Sequence, residues 1–113
     1  MKYTEYQLIQ LAKNNPQELV KIINSHNDIK TIISTVDILS TEVSEESIVF
    51  PILNRLLKHI HATVRESALS GVSSFYTEKR IPPEILKQLE MISNHDPSSL
   101  LREYAQDLLL KDK

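Results

Sequence analysis

The sequence predicts an all-α fold: a short α-solenoid of about seven helices, arranged as roughly three helix pairs. Three observations predict it. Gly71 is the only glycine in 113 residues, whereas sheets and α/β folds draw on glycine for tight turns and phosphate loops. Apolar residues recur at helical intervals, as in Ile52-Leu53, Leu56-Leu57 and Ile60, and again in Leu86, Leu89 and Met91-Ile92. Finally, Val64-Arg65-Glu66 with Ala68 is echoed 37 residues later by Leu101-Arg102-Glu103 with Ala105. A helix pair that recurs in this way signals stacked repeats, which bury one another's apolar faces.

Each helix can be placed from its caps. Thr4 followed by Gln7 forms a capping-box pattern, so the first helix is predicted over about Glu5 to Lys13, with Tyr6, Ile9 and Leu11-Ala12 facing inward. Asn15-Pro16-Gln17-Glu18 supplies an N-cap, a first-turn proline and a capping-box acid. The second helix follows to about Asn24 and buries Leu19, Ile22 and Ile23. Asn27 or Asp28 opens the third, whose inward residues are Ile29, Ile32-Ile33, Val36 and Leu39. Ser44 is the expected cap of the fourth, where Glu45 and Glu46 complement the positive helix terminus. Pro51 is expected inside or just after its first turn. Thr63, with Glu66 three residues on, is the expected start of the fifth. Ile81-Pro82-Pro83 starts the sixth, and Asp96-Pro97-Ser98-Ser99 leads into the seventh, ending near Leu110. No linker or composition break divides residues 1–113, which read as one helical domain.

Residues 49–75 carry a specific resemblance. A first helix with Pro51 and a second that opens near Arg65 is similar to the pattern of the HEAT-repeat family. Residues 84–110 give a looser copy that keeps Asp96 in the turn and Arg102 in the second helix. Residues 17–40 resemble a third, without an arginine at the matching place. The family commonly has aspartates in the intervening turn, where this chain has His59 and His61. The resemblance implies a stack of helix pairs, with Arg65 and Arg102 packed between repeats and bonded to turn carbonyls or acids. It implies a shape more than a function.

Composition narrows the function. Hydrophobic residues make up 41% and charged residues 25%, ordinary for a globular domain. There is no cysteine, which removes thiolate metal sites and disulfides. The first ten residues, MKYTEYQLIQ, are polar and lack the apolar core of a signal peptide, and no apolar run approaches the length of a membrane span. The expected location is cytoplasmic. The net charge of −2 draws the chain toward neither nucleic acid nor anionic lipid. The second helices lack the rows of Lys and Arg, and the stacking aromatics, that nucleic-acid binding requires.

Catalytic and metal motifs are absent from the sequence. There is no GxSxG, HExxH, GxxxxGK[ST] or GxGxxG. Ser67, Ser70, Ser73 and Ser74 have no histidine at helical spacing to activate them. His26, His59, His61 and His95 all fall between a first and a second helix, and only His59 and His61 form a close pair. We therefore expect no enzyme activity, no cofactor, no metal and no small-molecule substrate.

The expected job is protein binding. From Thr31 to Asn54 the chain has no Lys or Arg, but it holds Asp37, Glu42, Glu45 and Glu46. A polar stripe at helical spacing adds Ser34, Glu66, Ser70, Ser73, Glu103 and Asp107. The candidate partner-binding residues are Asp37, Glu42, Glu45, Glu46, Glu66 and Ser70, with Tyr76 and Tyr104 as aromatic contacts. The matching partner is a protein with a basic surface. About three repeats offer one standard footprint, roughly 800 Å² per partner. That scale suits a one-to-one inhibitor, such as an immunity protein occluding a basic, nuclease-type toxin domain. A general HEAT-type adaptor or scaffold is the alternative, and a nucleic-acid-binding HEAT-like protein the remote one.

Overall fold

In a computed structural model, residues 3–25 and 28–112 are described, and they contain seven helices and no strand. The helices are α1 (Glu5–Asn14), α2 (Pro16–Ser25), α3 (Ile29–Glu42), α4 (Glu46–Leu56), α5 (Ala62–Phe75), α6 (Pro83–His95) and α7 (Ser99–Lys111). They stack in two layers. In one, α3 packs on α1 and α5, and α5 packs on α7; in the other, α4 packs between α2 and α6. The pairs α2–α3, α4–α5 and α6–α7 join the layers, giving a helical repeat-like body of 36 × 27 × 18 Å. None of the described helices is long and apolar enough to cross a membrane.

Local chemistry sets most boundaries. The Gln7 backbone N–H donates to Thr4 Oγ1 (3.1 Å) and the Thr4 N–H donates to Gln7 Oε1 (2.9 Å), a complete capping box. Asp28 caps α3 by accepting from the Lys30 N–H, and Ser98 caps α7 by accepting from the Leu101 N–H. Asn27 and His26 lie outside the described residues. Pro51 is the sixth residue of α4 and exposed, so the helix loses one backbone donor there.

Two cap expectations are corrected. α4 is capped by Glu45, with no side-chain cap bond, and not by Ser44. Val43 is drawn into the core as the C-cap of α3, which moves the start of α4 one residue on. α5 begins at Ala62 with His61 as N-cap, ahead of Thr63. Here the His61 N–H donates to His59 Nδ1, and the Val64 and Arg65 N–H groups donate to the His61 carbonyl with no side-chain cap.

The core is continuous and aliphatic. Leu19, Leu39, Leu53, Leu56, Leu57, Leu69 and Leu89 are fully buried, each contributing about 2 kcal/mol of transfer free energy. Ile29 and Ile33 are only half-buried, and Ile60 is exposed. Tyr6, expected inward, is 70% exposed, and Leu8 takes the core position instead. Ala68 and Ala105 are both fully buried, as their repeated place predicts. Gly71 marks the tightest approach: a Cβ there would stand 2.7 Å from Leu53 Cδ2 and 3.2 Å from Ser40 Oγ. Helices α3, α4 and α5 meet at this point.

Candidate protein-binding surface

The two repeated arginines converge on one aspartate. Asp96, in the α6–α7 turn, is buried, and its carboxylate accepts Arg65 Nε–H at 2.7 Å and Arg65 Nη2–H at 3.1 Å. The Ser98 N–H donates to the same carboxylate at 2.9 Å. Arg65 Nη1 also donates to the carbonyls of His59 and Ile60, and Arg102 Nη1 donates to the Asp96 carbonyl. This guanidinium–carboxylate fork is a structural tie between neighbouring pairs. Burial pushes the Asp96 carboxyl up, but the hydrogen bonds from Arg65 and Ser98 and the charges of Arg65 and Arg102 outweigh it, holding the group below the usual carboxylate range.

With both arginines committed to turns, the outer face of the odd-numbered layer carries acids and hydroxyls alongside exposed Lys30 of α3 and exposed Leu100 and Leu110 of α7. Ser34 and Asp37 on α3, Glu66 and Ser70 on α5, and Glu103 and Asp107 on α7 are all exposed, while Ser73 is half-buried. At the α3–α4 turn, Glu42, Glu45 and Glu46 are exposed too. Asp37 lies on α3 about 7 Å along the axis from Glu42. None of these acids forms an ion pair among the described residues; the pair of Arg65 with Asp96 is the one found there.

The aromatic candidates divide. Tyr104 is half-buried on α7. Tyr76, expected as a partner contact, is 5% exposed, packs edge-on against Phe75 and donates its hydroxyl to Glu46 Oε2 at 3.0 Å. Burial, then the hydrogen bond to Glu46 and its charge, push the phenol well above its ordinary range, so it remains a donor. Its role is to hold Glu46. Nothing in an isolated sequence separates a tyrosine at a helix end that turns inward from one that turns out.

Glu46 stands at a shallow hollow that no local sequence signal foretells. It is lined by Glu46, Ser47 and Phe50 of α4 and by Pro82 and Glu84 at the start of α6, with a volume of about 370 Å³. Lys79 and Arg80 line a different hollow, with Lys111 and Asp112, and Lys79 sits over the Phe75 ring at 4.1 Å.

The histidines do not assemble. His59 and His61 stack at 5.5 Å between ring centroids, His95 ends α6, and His26 lies outside the described residues. Burial, and then the charges of His61, Arg55 and Arg65, lower the His59 pKa, which keeps its Nδ1 free to accept. Among the described residues no three His, Asp or Glu side chains come together as metal ligands. No family model, curated protein or solved structure matches this chain.

Proposed function

We propose that this chain is a non-enzymatic protein-binding module built as a HEAT-like stack, and that it occludes a partner with a basic surface. The most specific form of the proposal is an immunity protein that covers the cleft of a nuclease-type toxin. One observation carries it: the exposed acids Asp37, Glu42, Glu45, Glu46, Glu66, Glu103 and Asp107 form no ion pair among the described residues, while Arg65 and Arg102 are drawn into the α4–α5 and α6–α7 turns. Such a face is negative despite a net charge of only −2. A negative field speeds encounter with a positive cleft and is screened over about 8 Å at physiological salt. A body of 36 × 27 × 18 Å offers one standard footprint per broad face.

The experiment is affinity capture from the native host, followed by titration of the captured protein's activity. One-to-one inhibition of a nuclease supports the inhibitor; capture of a protein whose activity is unchanged leaves the adaptor. Glu42→Lys with Glu45→Lys then tests the surface, because Glu46 is needed by Tyr76. A slower on-rate whose deficit shrinks with salt is expected. An unchanged on-rate at low salt removes the acidic face from the proposal.

A further inference from the structure

We infer that the Phe50–Pro82 hollow is the seat of one arginine side chain from the partner. This deepens the preceding proposal and rests on its claim of a basic partner. The occupant follows from the walls and the rim. An arginine needs an apolar surface for its stem, a ring face for its guanidinium and a carboxylate for its N–H fork. Phe50 and Pro82 give the apolar walls, Phe50 gives the ring, and Glu46 and Glu84 give the carboxylates. Both acids lie in the first turns of their helices, α4 and α6. The partial positive charge of each helix end, about half a unit, offsets only part of each full carboxylate charge.

The carboxylate of Glu46 is fixed before any partner arrives. Tyr76 donates to Oε2 from a buried position, and Oε1 together with the second lone pair of Oε2 can still accept a fork of two donors. A preset acceptor favours a planar fork over the compact, freely rotating lysine head group. Lys87, three residues after Glu84 on α6, forms no ion pair with it among the described residues. Tyr76 is thus a positioning residue, acting through Glu46 without touching the guest.

The test is amide chemical-shift titration of the labelled protein with N-acetyl-arginine methylamide, and in parallel with the lysine equivalent. Saturable shifts are expected at Ser47, Phe50 and Glu84, with the arginine ligand the tighter. Phe50→Leu keeps the apolar volume but removes the ring, and should weaken the arginine ligand about threefold. Glu46→Gln should weaken both ligands. Tyr76→Phe should narrow the arginine-over-lysine preference while the helical circular dichroism stays unchanged, a readout that a purely structural role would not move. If the shifts instead gather at Asp37 and Glu66, the hollow is wrong and the basic-partner proposal stands. If neither ligand gives saturable shifts, the hollow is again wrong, and the charge-reversal on-rate separately decides the fate of the basic partner.

Discussion

The two ends of this stack are held by different chemistry. From α4 to α7 the pairs are tied by a buried polar hub, in which Arg65 and Arg102 reach into the Asp96 turn. From α1 to α3 the contacts are aliphatic, through Leu8, Leu19, Ile22, Ile23, Ile32 and Val36, and the polar bonds around them include exposed caps, the buried Thr35 and Ser40 hydroxyls bonded back within α3, and a link from Arg55 to Asn24. Apolar packing alone therefore suffices to stack helix pairs. The hub adds geometric register and a buried ion pair whose carboxylate must stay ionised. In a stack, where stability is roughly a sum over pairs and their interfaces, such differences should be separable by experiment.

Breaking the hub gives the largest expected effect. Asp96→Ala leaves a guanidinium that is 13% exposed with only carbonyl acceptors, and should cost about 3 kcal/mol, the scale for removing one partner of a buried pair. Hydrogen exchange should show α6 and α7 losing protection before α1 and α2. Acid should act in the same place. The folded pKa of Asp96 is depressed, so its stabilisation is fully present above the unfolded value of about 3.9 and is lost as pH falls through the lower folded value. A pH titration below about 4 in which α1 and α2 open first would break the comparison.

Ala68→Leu comes next. Ala68 has no exposed surface, and the extra carbons should overpack α5 by about 1–3 kcal/mol. An unchanged denaturant midpoint would mean that the repeated alanines do not mark equivalent close packing.

Gly71→Ala sharpens the comparison at the joint between the two regions. Helix propensity favours alanine by about 1 kcal/mol. The new Cβ meets Leu53 Cδ2 at 2.7 Å and Ser40 Oγ at 3.2 Å, and Leu53 is fully buried with little room to give. The clash should win, leaving a net loss of about 1 kcal/mol. A gain in stability would show that Leu53 of α4 and Ser40 of α3 can give way to α5 without cost.

Much of this organisation was legible in the sequence, and the gaps have definite causes. Local signals placed the helices, because caps such as Thr4, Asp28 and Ser98 act within three residues. The arginine echo located both hub arginines, but that both reach the Asp96 turn depends on how the pairs stack. What failed depends on neighbours distant in the chain. Tyr6 and Tyr76 lie near helix ends, where inward or outward is decided by what stacks alongside. The approach at Gly71 involves Ser40 and Leu53 from two other helices. The hollow exists only because the first turns of α4 and α6, whose starts are 37 residues apart, are brought together.

The smallest expected effect tests the N-terminal end directly. Thr4→Ala removes the acceptor of the Gln7 N–H and one half of the capping box. Cap loss costs about 0.5–2 kcal/mol, and this cap is exposed, so water replaces part of the bond and the low end is expected. α1 packs only on α2 and α3 among the described helices. The consequence should therefore stay local: faster exchange of the first-turn amides of α1, a slight fall in the global midpoint, and no change in α6 or α7. Asp96→Ala should give the converse pattern. If Thr4→Ala instead weakens α7 as much as α1, the stack unfolds as one indivisible unit, and the distinction between an apolar end and a polar end describes contacts without describing stability.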